Sequence, residues 1–331
     1  MIFVEIVQSG GRSAHKMKDF LGGFAFFFIY DFKLIYNKTW AFPENDCNNH
    51  VAMYNILDPD IVVERPTNEI IYVDITKETY KYASKGMPFD EVERIYNELV
   101  DLQNKNSNCS IIYRMEHIHS PIKVSDVYNW EKMKLIKNGT YKKFTDYLKY
   151  RYSLTSFTNH KYLPIEKGYL NVVMHIRKGD VFNTGKKHKH NHHNIDYFVK
   201  IIDNLKQLEL PLNIVILSET WNGYDGEDVR NLENKKNDNT LISIILEKCL
   251  YEYFMDVIEK TDVFVSAIGY GGFGDLISIY KNDNTILILN DEKRHYRFDD
   301  SMNNQIIKTT LDGDFDVNLL EKTRQLSNFN L

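Results

Sequence analysis

The second half of the chain alternates short β-branched runs with helical segments, and this restricts the fold more than any other feature. NVVMHI (171–176), NIVILS (213–218), TLISII (240–245), DVFVSA (262–267) and TILIL (285–289) read as strands. NIDYFVKIIDNLKQL (194–208), KCLYEYFMDVIEK (248–260), DLISIY (275–280) and VNLLEKTRQL (317–326) read as helices. In the first of these helices Ile195, Phe198, Val199, Ile202 and Leu205 recur at a spacing of three to four, with Asn194 placed to cap the N-terminus. Strands that alternate with helices form parallel sheets covered on both faces.

The first half carries a less regular version of the same pattern. IFVEIV (2–7) runs into a glycine turn, a helix over 15–29 and a strand over 33–36, a βαβ opening. Residues 43–70, with Pro43, Pro59 and Pro66, read as irregular, and helices over 89–104 and 140–155 flank a strand over 111–115. The expectation is two α/β domains, 1–160 and 161–331, with the last helix free to pack back on the first.

Composition narrows the function classes. The 331 residues carry a formal net charge of −5, which gives no overall field for nucleic acid. The three cysteines, Cys47, Cys109 and Cys249, have neither disulfide-framework nor zinc spacing. The N-terminus lacks a basic lead, and no apolar run reaches the roughly 18–20 residues of a membrane span. The reading is a soluble, cytoplasmic protein without a membrane anchor.

In an open parallel sheet ligands bind outside the C-terminal ends of the strands. HIRKGD (175–180) stands at such an end. Alternation puts His175 and Arg177 on one face, Gly179 permits a sharp turn, and Asp180 can return a carboxylate towards the arginine. The permanently charged fork of Arg177 suits a phosphate, although an Arg177–Asp180 pair that merely ties down the turn fits the same residues. SAIGYGGFGDL (266–276) places Gly271, Gly272, Phe273 and Gly274 between a strand and a helix, a loop whose amides suit a phosphate. Glu219, at the end of another strand, can accept hydrogen bonds from a ribose or a base. Gly10, Gly11 and Arg12 form the turn after the first strand, and His15 follows on its helix, placed to touch a second substrate. KKHKHNHHN (186–194) is too irregular for a closed metal site and reads as an exposed loop.

HIRKGD resembles the HxRxGD motif of the GDP-fucose-dependent fucosyltransferase superfamily, which includes the α1,2- and α1,6-fucosyltransferases and the protein O-fucosyltransferases. QSGGRSAHKMKDFLGGFAFF is similar to that family's N-terminal glycine-turn segment, and VILSE and DVFVSAIGYGGFGDLISIY to its later motifs. The resemblance implies a GT-B fold, two Rossmann-like domains facing a central cleft, acceptor side first and nucleotide side second. It implies inverting transfer of L-fucose from GDP-fucose to a glycan acceptor, with no cofactor and no metal. By position, Arg177 would hold the β-phosphate and the departing oxygen, His175 would lie against the nucleotide, and Asp180 would support the loop. Glu219 falls where the second motif meets the nucleotide. The family's SSFS falls on Gly271, Gly272, Phe273 and Gly274, which keep the amides and lack the hydroxyls. If the chemistry uses a base, it comes from the first domain, with His15 as the candidate. Another nucleotide sugar, or a silent glycan- or nucleotide-binding protein, are the competing readings.

Overall fold

The computed structural model describes residues 1–6, 13–35, 63–74, 89–115, 133–154, 160–178, 194–220, 224–247, 250–266, 272–290 and 305–326. The chain divides into two compact units, Met1–Phe157 and Thr158–Leu331.

The first unit contains β1 (Ile2–Ile6), α1 (Ser13–Tyr30), β2 (Lys33–Ile35), β3 (Ile70–Asp74), α2 (Phe89–Lys105), β4 (Ser110–Met115) and α3 (Thr140–Ser153). Its four strands lie parallel in the order β2-β1-β4-β3. In α2 the buried residues Val92, Ile95 and Leu99 follow helical spacing, while Asp90 and Glu91 in the first turn and Lys105 in the last complement the helix dipole. In α1, Leu21, Phe24, Ala25 and Phe26 are buried. Phe24 packs against Phe144 of α3 at 5.5 Å, and Phe26 against Tyr113 of β4 at 6.0 Å, so aromatic rings bond this helix to the sheet and to its neighbour. The strand β3 begins in the stretch expected to be irregular. It is a sheet edge, with Tyr72 exposed, and lacks the long apolar run that marks a central strand.

The second unit contains β5 (Leu170–Ile176), α4 (Ile195–Lys206), β6 (Leu212–Glu219), α5 (Glu227–Arg230), which continues into a 3-10 turn over Asn231–Lys235, and β7 (Thr240–Glu247). A 3-10 turn over Leu250–Tyr253 then leads into α6 (Phe254–Lys260). There follow β8 (Val263–Ser266), α7 (Gly272–Tyr280), β9 (Ile286–Leu289), β10 (Ile306–Lys308) and α8 (Val317–Leu326). All six strands are parallel, in the order β10-β9-β8-β5-β6-β7. Counted from β5, this is the doubly wound order of nucleotide-binding sheets, and its topological switch point lies between β5 and β8. The expected α/β class, with two parallel Rossmann-like units, is the class observed.

Every residue of β5 is buried, as a central strand covered on both faces requires. One face, with Val172, Met174, Ile176, Ile214, Ile216 and Val265, packs against Tyr197, Phe198, Ile201, Ile202 and Leu205 of α4. The buried stripe of α4 is thus rotated from the expected one: Ile195 and Val199 only flank it. Asn194 holds the N-cap position with extended backbone but makes no side-chain cap; its amide donates to Asp196 Oδ2 at 2.8 Å instead. Leu320 of α8 belongs to this same core, which ties the last helix to its own unit. The opposite face of the sheet carries α6 and α7, through Phe254, Phe273 and their contacts. No helix among the described residues is long and apolar enough to cross a membrane.

Candidate functional site

The site is built on the end of β5. The ladder with β8 ends at His175 opposite Ser266, and the ladder with β6 ends at Ile176 opposite Ser218. Arg177 is the first residue beyond the strand and is half-buried. Alternation sends His175 to the α6/α7 face. There its ring is buried and lies 5.0 Å from that of Phe273, which meets Phe254 edge-on at 5.8 Å. Two residues that the sequence placed in separate motifs, His175 and Phe273, are therefore in one contact.

The helix α7 starts at Gly272, three residues before the expected DLISIY segment, and so includes Phe273 and Gly274. Two glycines in a first turn oppose helix propensity. Close packing explains the second of them: a β-carbon on Gly274 would stand 2.7 Å from Ser266 Oγ, the last residue of β8. Gly274 lets the N-terminus of α7 lie directly against the strand end at the switch point, where unsatisfied helix amides favour an anion. Ser266 Oγ occupies the place where a serine at 274 would begin.

Glu219 ends β6, opposite Glu247 of β7. It stands one position beyond Ser218, the partner of Ile176, so it is level with Arg177 in the next strand. The neighbouring Glu247 accepts from Lys161 Nζ at 3.0 Å, and Glu252 lies 2.8 Å from the same nitrogen. Hydrogen bonds to Glu252 and Glu247 raise the Lys161 ammonium above its ordinary range. Nearby, Asp256 is buried and accepts from the backbone amide of Leu163 at 2.8 Å, and lies 2.9 Å from Lys260 Nζ and 3.1 Å from His160 Nε2. These contacts staple residues 160–163 onto α6.

The structure also places a residue that the sequence reading passed over. Lys178, the neighbour of Arg177, is 9% exposed and bonds Asp228 Oδ2 of α5 at 2.8 Å. The hydroxyl of Tyr224 donates to the other oxygen of Asp228. Burial alone would raise the Asp228 carboxyl, but hydrogen bonds from Lys178, Tyr224 and the Val229 amide outweigh it and hold it below the usual range. Burial and the adjacent carboxylate push the Tyr224 phenol up.

The strand ends of the first unit carry another charged cluster outside the expected residues. Glu5 on β1 and Arg114 on β4 are register partners, with Arg114 Nε 3.4 Å from Glu5 Oε2. Arg65 donates to Glu5 Oε1, and to the Tyr72 hydroxyl at 3.2 Å. The guanidinium of Arg114 lies 4.0 Å over the Tyr72 ring and 3.7 Å from Asp74.

No protein-family model matches the chain, and no curated protein matches it. Among solved structures, the chain is similar to a mutant of Arabidopsis thaliana FUT1 in complex with GDP, with 14% identity and a TM-score of 0.46 over 87% of this chain and 69% of that one.

Of the expected site residues, His175, Arg177, Glu219, Gly272, Phe273 and Gly274 are brought to the C-terminal end of one sheet. His15 lies in α1, and its side chain is outside what the structure describes. Gly10, Gly11, Arg12, Asp180, Gly271 and the histidine loop through His193 lie outside the described residues. Among the described residues, no group of three or more His, Cys, Asp or Glu is arranged to hold a metal ion. A cavity of about 500 Å³, lined by Ile165, Asp262, Asn282 and Thr285, lies at the opposite, N-terminal end of β8 and β9, away from this site. The hidden signal for Lys178 was alternation itself: two residues past Ile176, it had to return to the packed face.

Proposed function

We propose that the chain is an inverting glycosyltransferase that moves L-fucose from GDP-fucose to a hydroxyl of a glycan acceptor. The observation that supports this reading is that the end of the central strand, with His175 against Phe273 and the half-buried Arg177 just beyond it, meets the glycine-led N-terminus of α7 at the switch point of a doubly wound sheet.

Such a constellation suits a leaving diphosphate. As the bond between the sugar C1 and the β-phosphate oxygen breaks, negative charge grows on that oxygen. A guanidinium and helix-end amides held there in advance stabilise the charge as it develops. The acceptor oxygen forms the new bond to C1 from the opposite side, which inverts the configuration, and its proton leaves to a base or to water. In this reading the first unit holds the acceptor and His15 is the candidate base. His175, buried against Phe273, sets the floor on which the nucleotide rests. Gly272 and Gly274 contribute amides where the resembling families carry hydroxyls, and the reaction needs no metal.

Calorimetric titration of the full chain with GDP, GDP-fucose and UDP-sugars tests this. GDP and GDP-fucose are expected to bind and to raise the unfolding temperature, because a ligand of the native state stabilises it. Binding of UDP-sugars alone would favour the second reading, a transferase with another nucleotide sugar, for which the missing serine hydroxyls at 271, 272 and 274 speak.

A further inference from the structure

We propose that Lys178 is a positioning residue for Arg177: by binding Asp228 on one face of the sheet, it aims the guanidinium on the other. This rests on the reading of Arg177 as the phosphate-binding group.

Arg177 and Lys178 lie past the last ladder pairs of β5, His175 with Ser266 and Ile176 with Ser218. At that point the direction of a side chain depends on what holds its neighbours. Lysine is almost never this buried unless paired, and Lys178 is 9% exposed with its ammonium 2.8 Å from Asp228. Asp228 is in turn a fixed post. Gly226, at φ 83°, turns the chain into α5, and a β-carbon there would stand 2.5 Å from Leu246 Cδ1, so the segment lies flat on β7. Tyr224 and Val229 on either side of it are buried in the main core, and Tyr224 donates to Asp228. The tie therefore runs from packed core, through Asp228, to the backbone next to Arg177. A half-buried ion pair is weak evidence of stability, since desolvation and solvent screening offset its attraction. Its effect here is placement: with Lys178 drawn to the α5 face, strand alternation carried past Ile176 would turn Arg177 to the opposite face, the one that carries α7.

Two other roles for Lys178 make different predictions. A lysine that itself touched phosphate would work without Asp228. A tie with no bearing on the site would leave binding unchanged when cut. The test is calorimetric titration with GDP, alongside thermal unfolding, for the wild type, Arg177→Ala, Lys178→Met, Lys178→Arg, Asp228→Asn and the double variant Lys178→Met/Asp228→Leu. The wild type should bind and Arg177→Ala should lose at least a hundredfold. Lys178→Met and Asp228→Asn should each lose roughly tenfold, and the double variant should lose about the same tenfold, because the two changes cut one tie. Lys178→Arg should retain affinity within a few-fold. The double variant should unfold within a few degrees of the wild type, since an apolar pair of similar volume can replace an ion pair; its weak binding then reports position and not stability. Loss in Lys178→Met with full affinity in Asp228→Asn would make Lys178 a direct ligand and overturn the proposal. Wild-type affinity in the double variant would overturn it as well. Failure of the wild type to bind GDP would remove the phosphate reading and this proposal together, and so is distinct from either.

Discussion

Among the described residues, both sheets carry basic side chains near their C-terminal strand ends, in different surroundings. At the ends of β1, β3 and β4, Arg65 and Arg114 converge on the buried Glu5, with Asp74 and the Tyr72 ring completing the cluster. At the end of β5, Lys178 is engaged by Asp228, His175 lies against Phe273 in the first turn of α7, and Arg177 is half-buried one residue beyond the strand. The difference lies in the backbone more than in the charge. Gly274 brings a helix N-terminus to within contact of Ser266 in the second unit. In the first, the described charges at the strand ends neutralise one another. In the proposed reading the anion site lies where helix amides and a guanidinium meet, and a count of basic residues does not locate it.

The largest effect is expected when one arginine is removed from each sheet end. Arg177→Ala should lower donor turnover more than a hundredfold, about 3 kcal/mol or more of transition-state stabilisation. Arg114→Ala should leave GDP affinity unchanged. Steady-state kinetics and titration on both variants decide it, and equal losses would mean that the two ends act as one site.

A smaller effect is expected from Gly274→Ala, whose β-carbon would meet Ser266 Oγ at 2.7 Å. Overpacking should cost about 1–3 kcal/mol in stability and move α7 off the strand end, with GDP affinity falling in step. Adding Ser266→Ala removes the clashing oxygen and should restore much of both; no rescue in thermal unfolding and titration would show that the close approach does not set the helix.

In the first unit, Glu5→Gln should leave Arg65 and Arg114 without their shared carboxylate and cost about 1 kcal/mol in chemical denaturation. Donor affinity should not change. A drop in GDP binding would place this cluster at the donor site, contrary to the contrast drawn here.

The smallest effect concerns acid. The Asp228 carboxyl is held below its usual range in the folded protein. Its contribution is therefore fully present above the unfolded carboxylate value and is lost as pH falls through the lower, folded value. Because its side chain is 38% exposed, solvent screens the pair and the contribution is modest. Unfolding temperature against pH should show a shallower acid limb in Asp228→Asn than in the wild type; superimposable limbs would mean that the carboxylate is not held by Lys178 in solution.

Much of this was legible in the sequence, for a local reason. A strand buried on both faces must be a near-continuous run of apolar residues, and NVVMHI and NIVILS are such runs, so β5 and β6 were placed to within a residue. Alternation along β5 likewise put His175 on the face opposite Met174 and Ile176, where it meets Phe273. The elements that escaped are short or half-exposed: the edge strand β3, the three residues of β10 and the four of α5. None is long enough to show a period, and their neighbours across the sheet or in the core hold them in place.

What tertiary structure alone decided is which distant residues meet. The sequence determined that glycines lead α7, but not that Gly274 gives way to Ser266, because that depends on how closely a helix settles on a strand. It determined that a lysine follows Arg177, but Asp228 is fifty residues away and reaches Lys178 only once β6 has paired with β5 and Gly226 has turned the chain onto Leu246. Local chemistry is written in neighbouring residues, whereas register and packing are properties of the whole folded sheet.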